Sequence, residues 1–150
     1  MPASSSERAV QYFLSGYNCA QSTAAAFAEE CGLEVDAVLT MMAGFGAGIG
    51  GLRETCGAVS AMAYVAGLQR GAYAPDDIES KRRLYDRIKQ MVQAFVEQHG
   101  TICCRELLER EACRAAPNPS VRTAEYYAER PCAQFVATAA DIISKTSTVS

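Results

Sequence analysis

The sequence predicts an all-α fold, a compact helical bundle of about five to seven helices. Apolar residues recur at spacings of three and four along most of the chain, and capping residues and glycines bound these periodic segments. No segment shows sustained period-two alternation between hairpin-type turns. With 150 residues, the chain has the length of one domain and can bury about two-thirds of its unfolded surface. We therefore expect residues 1–150 to form a single helical domain, with a core over residues 7–143 and frayed termini.

The first two predicted helices are delimited by capping residues. Ser6 can cap a helix of about ten residues, which Gly16 ends. Asn18 and Gln21, three positions apart, have the form of a capping box, and such a box begins a helix. Cys19 is then the first residue of the second helix.

The second helix is rich in alanine and is predicted to continue to Cys31, where Gly32 stops it. Cys31 lies on the apolar stripe of this helix, so we expect it to be a small buried hydrophobic residue. A short third helix follows, because apolar residues recur at helical spacing over residues 35–45.

A glycine-rich loop precedes the central helix. Five glycines fall within residues 44–51, and glycine tolerates positive φ angles and close approach of other groups. Thr55 can cap the next helix, which makes Cys56 its first residue. At that position the unpaired backbone N–H groups and the helix dipole favour the thiolate over the thiol. We therefore expect Cys56 to be a low-pKa nucleophile and the centre of the chemistry.

The loop could bring backbone N–H groups to a thiolate or to a bound anion. Its candidate cofactor-binding residues are Gly48, Gly50, Gly51 and Arg53. Gly46, Gly48 and Gly51 also have the spacing of the dinucleotide fingerprint, but a helical segment precedes them and no acidic residue follows a second strand. We therefore do not assign a nucleotide-binding function.

The remaining helices are predicted from periodicity and turn signals. The central helix, residues 56–69, has little polar character on any face, and its small residues allow close packing. A homodimer that uses this small-residue surface is one option. The longest amphipathic helix begins after Pro75-Asp76-Asp77 and ends at Gly100. Further on, two prolines indicate a loop over residues 112–120.

Two further helices, a short one and the final one, also have cysteines in their first turns. Thr101 can cap a helix that holds Cys103 and Cys104 in its first turn. Pro131 suits the first position of a final helix, which places Cys132 second.

Composition excludes several classes of function. The net charge is −3 and both signs are interspersed, which argues against a nucleic-acid or basic membrane-binding surface. The N-terminal residues lack the pattern of a signal peptide and no apolar run approaches a membrane span, so we expect a cytoplasmic protein without membrane insertion. A single histidine argues against Ser-His-Asp and Cys-His-Asn hydrolases, and the absence of C-x-x-C-H excludes covalent c-type haem.

The seven cysteines are the strongest chemical signal in the chain. In a reducing compartment they are more often catalytic or metal-binding than structural disulfides. A bundle could gather the thiols at several helix starts, either as a dithiol pair or as soft ligands for zinc or an iron–sulfur cluster. The plain alternative is that the cysteines are small residues of the core.

Four motifs follow one another in a specific order. They are Asn18-Cys19-Ala20, Thr55-Cys56-Gly57-Ala58 after the glycine-rich run, Cys104-Arg105-Glu106-Leu107, and Cys132. With these motifs, over residues 7–143, the chain resembles the C_GCAxxG_C_C family of redox-active proteins. One difference is Ala61, where the family pattern has glycine. The resemblance implies four signature cysteines and three additional ones: Cys19, Cys56, Cys104 and Cys132 in the first group, and Cys31, Cys103 and Cys113 in the second.

The resemblance leaves three interpretations open. In the first, the four signature thiols are catalytic, and the protein is a thiol redox protein, or thiol-dependent oxidoreductase, with an unknown redox partner. In the second, the same four cysteines hold a metal ion or an iron–sulfur cluster, since a related pattern is similar to the non-haem part of split-Soret cytochromes. In the third, the chain is a helical interaction module with structural cysteines.

Overall fold

The computed structural model describes residues 2–111, 122–124, 127 and 131–146. Within these residues the regular structure is helical, and the one isolated β-bridge, between Thr55 and Cys103, belongs to no strand. The predicted all-α fold is therefore confirmed. The loop predicted over residues 112–120, which contains Cys113, lies outside the described residues.

Seven α-helices are found in the described residues, with a 3-10 helix, Ala43–Phe45, directly after the third. They are α1 (Ser5–Leu14), α2 (Cys19–Ala25), α3 (Val35–Met42), α4 (Gly57–Arg70), α5 (Ile78–His99), α6 (Cys104–Arg110) and α7 (Cys132–Thr146). Gly100 ends α5 with a left-handed φ of 90°, as its sequence position predicts. The last helix, α7, continues to Thr146, the last residue that the structure describes.

The first two helix starts are fixed by side-chain caps. Ser4, and not Ser6, caps α1 by accepting from the backbone N–H of Glu7 at 3.1 Å. Asn18 and Gln21 form the predicted capping box: the Gln21 N–H donates to Asn18 Oδ1 at 2.9 Å, and the Asn18 N–H donates to Gln21 Oε1 at 3.1 Å. This box sets the position of Cys19.

The second helix is shorter than the sequence predicts. α2 ends at Ala25, and residues 26–32 form turns. The guanidinium of Arg8 donates to the carbonyl of Ala26 at 3.2 and 3.0 Å. Because a continuing α-helix would use that carbonyl as an acceptor, the ion competes with the helix. The predicted helix to Cys31 is wrong, and Cys31 is partly exposed instead of buried.

The central helix is α4. It packs against α2, α5 and α7, and α1 packs across α2 and α7. Ala58, Ala61 and Ala66 of α4 are fully buried, and their small side chains let the neighbouring helices come close. The prediction of a buried central helix after the glycine-rich loop is confirmed.

None of the helices in the described part of the chain combines the length and the apolar character that crossing a bilayer requires.

Candidate functional site

Four cysteines stand at the beginnings of four different helices. Cys19 is the first residue of α2, and Cys104 is the first residue of α6. Cys132 is the first residue of α7, whereas a helix that started at Pro131 would have Cys132 as its second residue. Cys56 immediately precedes α4 as its N-cap. The predicted pattern of thiols at helix starts is therefore present.

Two predicted caps are different in the structure. Cys56, and not Thr55, is the N-cap of α4. Cys103 is the N-cap of α6, so only Cys104 lies in the first turn of that helix. The hydroxyl of Thr101 accepts from the Cys103 N–H at 3.1 Å and so holds the turn before the helix.

The four cysteines converge. The thiols of Cys19 and Cys132 are hydrogen-bonded to each other, and Cys56 and Cys104 lie near both of them. Cys56, Cys104 and Cys132 are only 3%, 9% and 8% exposed, and Cys19 is partly buried against the core. The hydrogen bond to Cys132, burial and the surrounding sulfurs together raise the pKa of the Cys19 thiol well above its usual value.

Backbone pairing brings Cys56 next to Cys104. The Cys56 N–H donates to the Ile102 carbonyl at 2.7 Å, and the Cys104 N–H donates to the Glu54 carbonyl at 2.5 Å. These bonds flank the β-bridge between Thr55 and Cys103. The chain before α4 is thus joined to the chain before α6 by main-chain groups, independently of the thiols.

A close helix contact brings Cys56 next to Cys19. Gly57, the first residue of α4, lies against the start of α2. A Cβ atom at this position would be 2.9 Å from the Ala20 nitrogen and 3.0 Å from the Phe45 oxygen. Glycine is therefore required for the two helix starts to meet.

The conformation of the glycine-rich loop depends on positive φ angles and on contacts within the loop itself. The backbone adopts positive φ at Ala47, Gly48, Ile49, Gly50, Gly51 and Arg53. A Cβ atom at Gly48 would lie 2.6 Å from the Glu54 nitrogen, and the Gly50 N–H donates to the Gly44 carbonyl at 2.9 Å. The space at Gly48 and the donor of Gly50 are therefore used within the loop, and a cofactor-binding role for Gly48, Gly50 and Gly51 stays a prediction.

Arg53 connects this loop to two thiols. Its guanidinium Nη1 donates to Cys104 Sγ at 3.6 Å, and its carbonyl accepts from the Cys103 thiol at 3.5 Å. Burial raises the pKa of the Cys104 thiol, and the Arg53 cation acts against that rise. From the sequence, Arg53 is a candidate cofactor-binding residue, and this role stays a prediction; in the structure Arg53 contacts Cys104 and Cys103.

The expected low pKa of Cys56 is wrong. Burial raises the pKa of this thiol to about 12, although the backbone N–H groups of Ala58 and Val59 act to lower it. The sulfurs of Cys132 and Cys104 raise it further, and the Cys56 side chain makes no capping hydrogen bond. The free-energy cost of removing the thiolate from water exceeds the stabilisation that the backbone dipoles at the helix start provide.

The thiol cluster has the donor atoms of a metal site. Thiolates are soft donors that suit zinc or an iron–sulfur cluster. However, no three histidine, cysteine, aspartate or glutamate side chains among the described residues are arranged so that they could hold a metal ion. A metal or iron–sulfur centre held by Cys19, Cys56, Cys104 and Cys132 therefore stays a prediction.

Sequence reasoning missed two features of the cluster. It gave no pairing among the cysteines, because Cys19 and Cys132 are far apart in the chain and meet only through packing. It also set Cys103 aside as an additional cysteine, although Cys103 shares Arg53 with Cys104. The adjacency of two cysteines at a helix start was the signal that could have identified it.

The fold and the site define a class of protein: an all-α protein in which cysteines at four helix starts come together, three of them buried and Cys19 partly buried. The family model described as "Putative redox-active protein (C_GCAxxG_C_C)" matches residues 17–146. The chain therefore belongs to the C_GCAxxG_C_C family, as its motifs predicted. Comparisons with curated proteins and with solved structures find no match.

Proposed function

We propose that the protein performs thiol–disulfide redox chemistry, in which Cys19 and Cys132 alternate between a dithiol and a disulfide. The observation that supports this most directly is the hydrogen bond between their two thiols. Two cysteines in such contact need little movement to form a bond, since disulfide sulfurs are about 2.05 Å apart. Membership of a redox-active family supports a redox role in general.

The reaction takes two electrons from the cysteine pair. A disulfide of a partner thiol, RSSR, is reduced to two RSH, and the protons of Cys19 and Cys132 pass to the released thiols. In the reverse direction a reduced partner regenerates the dithiol. The raised pKa values of Cys19 and Cys56 keep these groups protonated at neutral pH, so the first nucleophile is a different thiol. Within the cluster Arg53 donates to the Cys104 sulfur and opposes the rise in its pKa, so Cys104 is suited to pass the exchange from that first nucleophile to the other thiols.

A reducing compartment such as the cytoplasm suits this proposal, because the resting form there would be the dithiol. The proposal also treats residues 7–143 as one domain, since cysteines from both ends of that range take part.

Thiol counting tests the proposal. The protein is purified without oxygen, and its thiols are counted before and after oxidation by a disulfide reagent and again after dithiothreitol. The oxidised form should have two fewer thiols, and peptide mapping should find Cys19 linked to Cys132. Cys31→Ser is the control, since Cys31 lies outside the cluster, and its cycle should match that of the parent.

Three results would contradict the proposal. A disulfide between other cysteines would show that Cys19 and Cys132 are not the redox-active pair. Stoichiometric iron with a visible absorbance band, lost in Cys104→Ser, would establish the iron–sulfur interpretation instead. If every cysteine is alkylated slowly and none is oxidised, the remaining interpretation is a helical interaction module with structural cysteines.

A further inference from the structure

Cys103 is the more exposed thiol of the adjacent pair Cys103 and Cys104. It is partly exposed, whereas Cys104 is buried. Arg53 touches both side chains, with its carbonyl accepting from the Cys103 thiol at 3.5 Å and its guanidinium donating to Cys104 Sγ at 3.6 Å. One loop residue thus aligns an outer thiol and an inner thiol at the edge of the cluster.

We propose that Cys103 is the entry thiol of the protein, through which disulfide exchange with a small-molecule disulfide reaches the Cys19–Cys132 pair by way of Cys104. This inference rests on the proposed function and adds the sequence of exchanges by which the disulfide reaches Cys19 and Cys132. The order of the sulfurs follows from exposure and contact: Cys103 is partly exposed, Cys104 is buried and adjacent to it in the chain, and Cys132 is near Cys104 and hydrogen-bonded to Cys19. The other three signature cysteines, Cys19, Cys56 and Cys132, have no cysteine next to them in the chain.

The route consists of four exchanges that conserve atoms and electrons. Cys103 attacks one sulfur of RSSR, which forms a mixed disulfide and releases RSH. Cys104 attacks Cys103 Sγ, which forms a Cys103–Cys104 disulfide and releases the second RSH. Cys132 attacks Cys104 Sγ and releases the Cys103 thiol, and Cys19 then attacks Cys132 Sγ and releases the Cys104 thiol. The net change is one RSSR reduced to two RSH and one Cys19–Cys132 disulfide formed.

Strain in the second intermediate drives the disulfide inward. Adjacent Cα atoms are about 3.8 Å apart, which is shorter than the separation of about 4.4 to 6.8 Å that disulfides favour. A disulfide between Cys103 and Cys104 is therefore strained and strongly oxidising, so it passes readily to the next thiol. Cys19 and Cys132 are on different helices and carry no such constraint.

Arg53 assists at the same junction. Its guanidinium stabilises the Cys104 thiolate, both when Cys104 attacks Cys103 and when it leaves Cys132. The cation is held there by a left-handed backbone, with φ of 59° at Arg53. The glycine-rich loop therefore serves the route by presenting this one side chain.

Oxidation kinetics of matched serine variants test the route. Reduced parent, Cys103→Ser and Cys31→Ser are mixed with oxidised glutathione, quenched with acid and alkylated, and the Cys19–Cys132 disulfide is quantified over time. Cys103→Ser should form this disulfide about tenfold more slowly or worse, with the same equilibrium redox potential as the parent. Cys31→Ser, which changes a partly exposed cysteine outside the cluster, should match the parent in both rate and potential.

A second variant traps the first intermediate and does not depend on rates. In Cys104→Ser the mixed disulfide on Cys103 has no adjacent thiol to attack it, so glutathione should accumulate on Cys103 and be detected by mass. Oxidation of Cys103→Ser at the parent rate, or no glutathione on Cys103 in Cys104→Ser, would overturn the route while leaving the Cys19–Cys132 disulfide intact. Failure of the parent itself to form that disulfide would overturn the proposed function and the route together.

Discussion

Arg53 Nη1 lies 3.6 Å from Cys104 Sγ, and this contact places a cation beside a thiol at the start of α6. Two influences on the Cys104 thiol oppose each other there. Burial raises its pKa, and Arg53 lowers it through a hydrogen bond and through its charge. The balance makes the reactivity of Cys104 sensitive to a single side chain of the glycine-rich loop.

Replacing Arg53 should make Cys104 less reactive. In Arg53→Met the stem is retained and the charge is lost, so the pKa of Cys104 should rise further and its alkylation should require a higher pH. Peptide-resolved alkylation of the reduced protein over a range of pH measures this shift. Arg105→Met is the matched control, because the Arg105 guanidinium donates to the Leu52 carbonyl and not to a thiol. Identical profiles for Cys104 in the parent and Arg53→Met would show that the contact has no electrostatic effect.

The raised pKa of Cys56 predicts how stability depends on pH. Its folded pKa is about 12, so the unfolded chain loses this proton at lower pH than the folded protein does. The contribution is fully present below the unfolded value of about 8.5 and is lost as pH rises towards the folded value. Denaturant unfolding of the reduced protein should show the free energy of unfolding falling in this window. Cys56→Ala should flatten the slope by up to about 1.4 kcal/mol per pH unit. An unchanged slope would mean that the Cys56 thiol ionises equally in both states.

The capping box at α2 should contribute more to stability than the simple cap at α1. The Asn18 side chain accepts from the Gln21 N–H at 2.9 Å and also donates to the Ala43 carbonyl at 3.0 Å, whereas the Ser4 side chain makes only the capping bond among its described contacts. Loss of a cap costs about 1 kcal/mol, and loss of the second bond adds to it. Asn18→Ala should therefore destabilise the protein by about 1 kcal/mol more than Ser4→Ala does, measured by denaturant unfolding. Equal losses would show that the bond to Ala43 contributes nothing.

Local signals in the sequence predicted much of the fold. The box formed by Asn18 and Gln21, the glycine stop at Gly100 and the helical periodicity each depend on residues within a few positions, and each is found in the structure. The predicted end of α2 was wrong because a distant ion, Arg8, binds the Ala26 carbonyl. Such competition is invisible to a local pattern.

The candidate site could be predicted only in part for the same reason. That cysteines begin several helices follows from local capping and turn residues, and this much was foreseen. The pKa of Cys56 depends on how deeply the thiol is buried, and the contact of Cys19 with Cys132 depends on how α2 packs against α7. Both are tertiary properties, and neither periodicity nor spacing contains them.

Two glycines of α4 should respond in opposite directions to the same substitution. A Cβ atom at Gly57 would be 2.9 Å from the Ala20 nitrogen and 3.0 Å from the Phe45 oxygen, whereas one at Gly67 meets nothing within 4 Å. Gly57→Ala should therefore destabilise the reduced protein by about 1 to 3 kcal/mol, because main-chain atoms must move apart. Gly67→Ala should stabilise it by about 0.5 to 1 kcal/mol, since alanine is the better helix former.

The displacement that Gly57→Ala causes would also separate Cys56 from Cys19. Gly57→Ala should therefore change the redox potential of the cluster, while Gly67→Ala should not. Equal effects of the two substitutions on stability and potential would refute the view that contact between the starts of α2 and α4 assembles the thiols.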